Sequence, residues 1–183
     1  MPILTPEGET VQSILTKYKI DAIWHFTDTA NLDSIVSNGG LLSLAELERR
    51  GIAIAKPGGN QWSHDADKYK GVHQYVHMSF LDNHPMQFVA KQDGRVTDPI
   101  WIKIDSSILL DENVRFSCDV SNKSGVDVLT ADEAIKKIDF EVLFTHTDWK
   151  DPVIQKRLRA AQKSEILIPT MVHLNKLLGK KVG

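Results

Sequence analysis

A single cysteine, Cys118, stands among 183 residues, which excludes an internal disulfide. Neither it nor the seven histidines fall in a CxxC or HExxH spacing, so no structural or catalytic metal is expected. GxGxxG and GxxxxGK[ST] are both absent, and with them the phosphate-cradling glycines of a Rossmann site and of a P-loop. The pair Gly58 and Gly59 reads as a turn. There is no G-x-S-x-G elbow to support a serine nucleophile. No stretch approaches the roughly 20 consecutive apolar residues that cross a bilayer. The opening Met1 to Thr10 has neither a basic nor an apolar leader region, so a cytoplasmic protein without membrane association is expected. Internal repeats, low-complexity tracts and linkers rich in Pro, Gly and Ser are missing as well.

What is present fits one domain over residues 1–183, because a chain of this length with 42% hydrophobic and 25% charged residues has little room for a second core. A monomer is expected. The net charge of -2 argues against a general nucleic-acid coat, yet the charge is uneven. From Asp148 to Gly183 there are eight Lys/Arg (Lys150, Lys156, Arg157, Arg159, Lys163, Lys176, Lys180, Lys181) against three acids, leaving that segment at +5 and the remainder at -7. By itself such a run reads as a solvated helix face with a basic tail.

Apolar periodicity places Val11, Ile14 and Leu15 on one face of a first helix. Ala22, Ile23, Trp24 and Phe26 follow as a short strand carrying His25. A helix over Asp28 to Asn38 places Leu32, Ile35 and Val36 on one face and stops at Gly39 and Gly40. Ser43 with Glu46, and Thr130 with Glu133, have capping-box spacing, and Asp151 before Pro152 opens a helix to about Ala161. Strands are predicted over Tyr75 to Phe80, Ile100 to Asp105, Phe140 to Thr145 and Glu165 to Ile168, with a closing helix over Met171 to Leu178. Lys56 to Lys70, Lys91 to Thr97 and Phe116 to Val126 are expected as loops. Without regular βαβ alternation, the class is α+β with a mixed or antiparallel sheet.

Three ordered blocks are the most informative features: Ile23 to Leu42, Val72 to Met86 and Arg159 to Pro169. The first holds His25, Thr27, Asn31, Leu32, Ile35, Gly40 and Leu41. The second holds Tyr75, Val76, Ser79, Phe80, Pro85 and Met86, and the third Gln162 and Glu165 to Pro169. Trp101, Ile104, Asp105 and Trp149 lie between or beside them. In this order and content the chain resembles the DarT family of toxins, over about Asp21 to Leu174.

The resemblance implies the ADP-ribosyltransferase fold, split β-sheets with flanking helices and NAD in the cleft between them. It implies that His25 contacts the nicotinamide-side ribose, that Thr27, Asn31, Leu41 and Ser79 help hold the cofactor, and that Tyr75 or Phe80 stacks on nicotinamide. Opening the bond between nicotinamide and ribose creates an oxocarbenium-like centre, which a fixed carboxylate stabilises. Glu165 suits that task, because a glutamate opening an Ile-Leu-Ile strand is poorly placed for burial unless paired or functional. It could also act as general base toward the acceptor. The family's assisting arginine has no match here; His64 is the nearest candidate for its place, with Arg49 and Arg50 farther back.

By the same resemblance, Thr147 to Lys163 would choose the target, giving Lys156, Arg157, Arg159 and Lys163 phosphates to neutralise. Trp149, Trp62 or Tyr69 would offer a stacking platform for unpaired bases. The implied activity is ADP-ribosyl transfer from NAD to thymidine or guanosine of single-stranded DNA, opposed by a macrodomain-type antitoxin. RNA or protein acceptors, or a catalytically silent nucleic-acid-binding relative, are the alternatives. His73, His77 and His84 read as a surface cluster, and Met78 and Met86 as packing residues.

Overall fold

The computed structural model describes residues 8–145 and 148–183. The first seven residues of the opening segment, and Thr147 at the head of the expected target-choosing stretch, lie outside the described residues.

Three antiparallel sheets take up the apolar runs. In the first, β4 (Pro99–Asp105) is central, flanked by β1 (Ala22–Asp28) and β8 (Leu177–Val182). The second is the short pair β2 (Gly40–Leu42) and β7 (Met171–His173). In the third, β6 (Glu165–Pro169) lies between β3 (Tyr75–Met78) and β5 (Arg115–Ser117). Trp24 and Ser79 exchange backbone hydrogen bonds at 2.9 and 2.8 Å, joining the first sheet to the end of β3. Ile23, Ile104, Ile166, Leu167 and Val172 are fully buried across these junctions. Ile100, Ile102 and Ile104 are buried as expected in β4, which pairs with β1 throughout, but Trp101 between them is buried as well, so the strand is covered on both faces at that point.

The helices surround this core: α1 (Val11–Lys17), α2 (Leu32–Ser37), α3 (Leu44–Arg50), α4 (Gln61–Lys70), α5 (Pro85–Gln92), α6 (Ala131–Lys137), α7 (Phe140–Phe144) and α8 (Pro152–Ala161). Thr130 and Glu133 form the expected capping box, and the Asp151 side chain accepts from Val153 N at the start of α8. At α3, Ser43 accepts from Glu46 N, but the Glu46 carboxylate turns to Arg49 and Arg50 instead of closing the box.

Four local readings are corrected. Phe140 to Thr145 is a helix: Asp139 caps it by accepting from Val142 N, and Phe140 and Leu143, one turn apart, are both buried. A short apolar run fits either period, and here the cap decides. Met171 to Leu178 is not one closing helix: β7 and the start of β8 flank a single 3-10 turn, Leu174–Lys176. Thr170 turns the chain with a positive φ of 65°, after which Val172 pairs with Leu41. Gln61 to Lys70, expected as loop, is helical, with Asn60 accepting from Ser63 N. Pro85–Gln92, left without an element in the sequence reading, is α5, capped by His84 and opened by proline.

Gly40 marks where β2 and β7 approach each other most closely. Its φ is +150°, and a Cβ there would meet Val172 O at 2.0 Å and Val172 C at 2.9 Å. Backbone cannot swing aside as a side-chain tip can, so Gly40→Ala is expected to cost about 3 kcal/mol in urea unfolding. A loss under about 0.5 kcal/mol, the usual range for surface substitutions, would refute this close packing.

Candidate active site

A cavity of about 280 Å³, open on one side, lies among β1, β3, α2, α4 and the start of β6. Its walls include His25, Thr27, Asn31, Leu41, Lys56, His64, Asp67, Tyr75, His77, Ser79, His84, Trp101, Ser121 and Glu165. It is near the lower end for small-molecule sites, roughly 300–1,000 Å³, so a dinucleotide would reach out through its mouth. The indole Nε1 of Trp101 and Nε2 of His84 are buried with no hydrogen-bond partner among the described residues. Buried donors normally find an acceptor.

Glu165 is 7% exposed at the first position of β6, paired with Ser117 of β5. Its Oε2 accepts from Ser121 N at 2.9 Å, and His77 Nδ1 lies 3.5 Å from the same oxygen. His84 Nε2 stands 4.0 Å from Oε1. Burial alone would push this carboxyl up, but the His77 hydrogen bond and charge, with smaller contributions from His84 and Ser121, outweigh it and hold Glu165 below its usual range. It is an ionised carboxylate in a sheltered wall.

His77 and His84 therefore do not form the surface cluster that the sequence suggested. The alternation of β3 contained the signal: Tyr75, His77 and Ser79 are two residues apart and share a face. His77 stands opposite Leu167, which makes Glu165 its diagonal neighbour across the pair. Its Nε2–H donates to Val72 O at 3.0 Å, leaving Nδ1–H for Ser121 Oγ at 3.3 Å and for Glu165. Burial opposes the charge, yet Glu165 and then Asp67 raise the His77 pKa to about 9. His84 accepts from Met86 N on Nδ1, so its proton sits on Nε2, toward Glu165, and burial pushes its pKa down. Asp67, on the α4 wall, has a carboxyl that burial pushes up.

His25 lines the same cavity and donates its Nδ1–H to the backbone oxygen of His77 at 2.9 Å. Burial lowers its pKa to about 4, so at neutral pH it is an uncharged imidazole with Nε2 free to accept. Thr27 and Asn31 are both 7% exposed and hydrogen-bonded to each other, Asn31 Nδ2 donating to Thr27 Oγ1 at 2.9 Å. Asn31 also brackets Lys56, donating to its carbonyl and accepting from its amide. Its amide is thus engaged with protein, and it shapes the cavity by fixing the 56 loop.

Tyr75, Ser79, Leu41 and His64 reach the cavity wall, and Met78 and Met86 line it as well. Phe80 does not. Two residues past the end of β3, it turns into the core, 3% exposed, and packs its ring against Phe116, Phe140 and Phe144 with centroids 5.4–6.3 Å apart. The expectation that Phe80 stacks on a ligand is overturned, and Tyr75 is left as the aromatic of the pair in the cleft. No arginine lines the cavity among the described residues: Arg49 and Arg50 pair with Glu46, and the charged or chargeable nitrogens in the wall belong to Lys56 and histidines.

Lys156 and Arg159 on α8 and Lys163 just after it surround a shallow hollow floored by Ala160. Arg157 is not with them. Its guanidinium grips Asp139 at 2.7 and 2.9 Å and Glu141 at 3.1 Å, bracing α8 against α7, so its assignment to phosphate is corrected. Trp149 is 64% exposed with Lys150 Nζ 5.5 Å from its ring; Trp62 and Tyr69 are exposed on α4. No helix among the described residues is long and apolar enough to cross a membrane, and no group of three potential ligands could hold a metal ion.

A family model described as the ssDNA thymidine ADP-ribosyltransferase DarT matches residues 24–180. Among solved structures, the fold is similar to a Thermus sp. 2.9 DarT in complex with ADP-ribosylated ssDNA, at 16% identity and a TM-score of 0.65, over 87% of this chain and 79% of that one. It is similar to the same organism's DarT in complex with NAD+, at 17% identity and a TM-score of 0.57, over 87% of this chain and 80% of the other. It is also similar to Thermosipho africanus DarTG in complex with ADP-ribose, at 17% identity and a TM-score of 0.67, over 89% of this chain and 44% of that longer one. No curated protein sequence matches the chain.

Proposed function

Since the chain belongs to the DarT family of single-stranded-DNA thymidine ADP-ribosyltransferases, we propose that its Glu165 is the catalytic carboxylate and that His25 faces the ribose beside nicotinamide. The enzyme class is NAD-dependent ADP-ribosyl transfer, and NAD is the co-substrate that supplies the ADP-ribosyl group. The observation carrying the assignment of Glu165 is an ionised, sheltered carboxylate in the same cavity wall as an uncharged His25.

In the reaction the bond between ribose C1′ and nicotinamide nitrogen breaks, and C1′ bonds to a nitrogen of the acceptor base. Nicotinamide leaves, and the base nitrogen loses its proton. Glu165 Oε1, which accepts no hydrogen bond among the described residues, is the oxygen available to a ribose hydroxyl or to that departing proton. Its negative charge lies where positive charge develops on the ribose, and a preorganised charge in a sheltered site stabilises such a transition state without reorganising. Tyr75 offers a ring to nicotinamide.

The acceptor follows from the family: thymidine in single-stranded DNA. We read Lys156, Arg159 and Lys163 as contacts to its backbone and Trp149 as a platform for a splayed base. A macrodomain-type antitoxin that removes the mark, and a bacterial cytoplasm as the place of action, complete the proposal for this single domain. Incubation with NAD and a thymidine-containing oligonucleotide is expected to add one ADP-ribosyl mass per modified base, and an oligonucleotide without thymidine should stay unmodified. Transfer to RNA or protein alone would defeat the acceptor. DNA binding with no mass change under any sequence would defeat the chemistry.

The corrected basic cluster makes its own forecast. Each phosphate contact on a single strand contributes about -0.7 to the slope of log affinity against log salt. Lys156, Arg159 and Lys163 changed together to alanine are thus expected to flatten that slope by about 2 in fluorescence anisotropy. Arg157→Ala should leave the slope unchanged and lower the melting temperature. An unchanged slope in the triple variant would remove DNA from this face.

A further inference from the structure

We propose that His77 is a positioning residue for the catalytic carboxylate: its imidazolium fixes Glu165 so that Oε1 alone is presented to the substrate, while its backbone oxygen fixes the tautomer of His25. This rests on the reading of Glu165 given above.

The geometry runs through one residue. His77 N–H groups point two ways, Nε2–H to Val72 O at 3.0 Å and Nδ1–H to the side of Glu165 Oε2 at 3.5 Å, with Ser121 Oγ 3.3 Å away. A ring that donates from both nitrogens is a cation. Oε2 is then occupied twice, by Ser121 N–H and by His77, whereas among the described residues Oε1 has only His84 at 4.0 Å. The carbonyl of the same residue accepts from His25 Nδ1–H at 2.9 Å, which leaves His25 Nε2 as an acceptor in the cavity. The two side chains assigned to the ribose thus share a single support on β3. A mid-strand position makes that support rigid, because β3 is paired with β6 over Tyr75 to Met78.

The groups facing the His77 ring are Glu165 from β6, Asp67 from α4, His84 at the head of α5 and Ser121 from the loop after β5. The two acids outweigh burial and the neighbouring histidine, raising His77 to about 9. Because the folded value lies above the ordinary 6.5, the support is complete at neutral pH and is lost as pH rises through about 9.

His77→Gln keeps a donor but no charge, and His77→Leu keeps neither. With NAD and a thymidine oligonucleotide at pH 7.5, kcat is expected to fall about 10-fold in the glutamine variant and about 100-fold in the leucine variant, the range that misplacement of a catalytic group produces. KM for NAD should change less than 3-fold. The advantage of the natural enzyme over His77→Gln should shrink toward one as pH is raised through about 9, a trend that a purely structural role would not give. A glutamine variant with undiminished kcat, or an advantage unchanged between pH 7 and 10, overturns the proposal. Should both variants fold poorly, the natural protein and Glu165→Gln give the answer by NMR titration of the His77 ring. The His77 value is expected near 9 in the first and lowered by at least one pH unit in the second; equal values in the two overturn the proposal. Full activity in Glu165→Gln would instead sink the assignment of the carboxylate itself, so the two failures are distinguishable.

Discussion

Glu165→Gln is expected to lower ADP-ribosyl transfer to thymidine oligonucleotides by about 10²- to 10⁴-fold, the range that a positioned acid or base contributes, while the protein remains folded. The amide matches the carboxylate in shape, and its oxygen can still accept from Ser121 N–H, which meets Oε2 at 2.9 Å. What disappears is charge. No anion then stands beside the ribose as the nicotinamide bond opens, and the His77 imidazolium faces a neutral amide oxygen instead of a carboxylate, with the NH2 group at the Oε1 position. Because the interaction strengthens only as the transition state forms, kcat should take the loss while NAD affinity, measured by calorimetry, shifts little. Thermal stabilisation by NAD should persist in the variant, since ligand bound only to the folded state raises its stability. A rate within 3-fold of the unaltered enzyme would remove Glu165 from the reaction, and loss of cooperative melting would show that it is structural.

How far the sequence disclosed this site depended on what kind of signal each residue emits. Glu165 was legible because a charge opening an apolar strand conflicts with burial, and that conflict has few resolutions. Its class of fold was legible from the alternation of Ile100, Ile102 and Ile104 and from the caps at Thr130 and Asp151. The runs at Phe140 and at Met171 were not, because four or five apolar residues satisfy a helix and a strand alike. Their outcome was decided by Asp139, which Arg157 holds from 18 residues away, and by a positive φ at Thr170. His77 was hidden for a different reason. Its importance depends on its register against β6, set by pairing with Leu167, and a contact across strands nearly ninety residues apart leaves no mark in local pattern. Phe80 lies two residues beyond the end of β3, and its turn into the cluster of Phe116, Phe140 and Phe144 is set by tertiary packing that local pattern does not carry. Arg157 looked like part of a basic stripe, and only the fold reveals that its charge is answered by two acids.

The largest stability effect is expected at Asp28, which is 1% exposed at the end of β1. Its Oδ1 accepts from Ala30 N at 2.9 Å, and its Oδ2 from Thr97 N at 2.8 Å and Asp98 N at 3.0 Å. One carboxylate therefore starts the 3-10 turn leading into α2 and ties the entry of β4 to the exit of β1. Burial works against its charge, but the amides of Asp98, Ala30 and Thr97, with Lys56 at longer range, prevail and hold its pKa below the usual value. Asp28→Ala strands three backbone donors. At about 1–3 kcal/mol for each buried group left unsatisfied, partly relieved by relaxation and water, the loss should reach about 3–4 kcal/mol at pH 7 in urea unfolding. The sign of its pH dependence is fixed by the direction of the shift: a carboxyl lowered on folding stabilises fully above its ordinary value of 3.8 and less as pH falls through the folded one. The gap between the natural protein and Asp28→Ala should therefore be constant from pH 5 to 7 and narrow below 3.8. Thr27 and Asn31 flank this anchor and line the cavity, so NAD binding should weaken in the same variant. A penalty below 1 kcal/mol, or a gap that widens in acid, would mean that the three amides find other acceptors and that the cleft wall is not hung from Asp28.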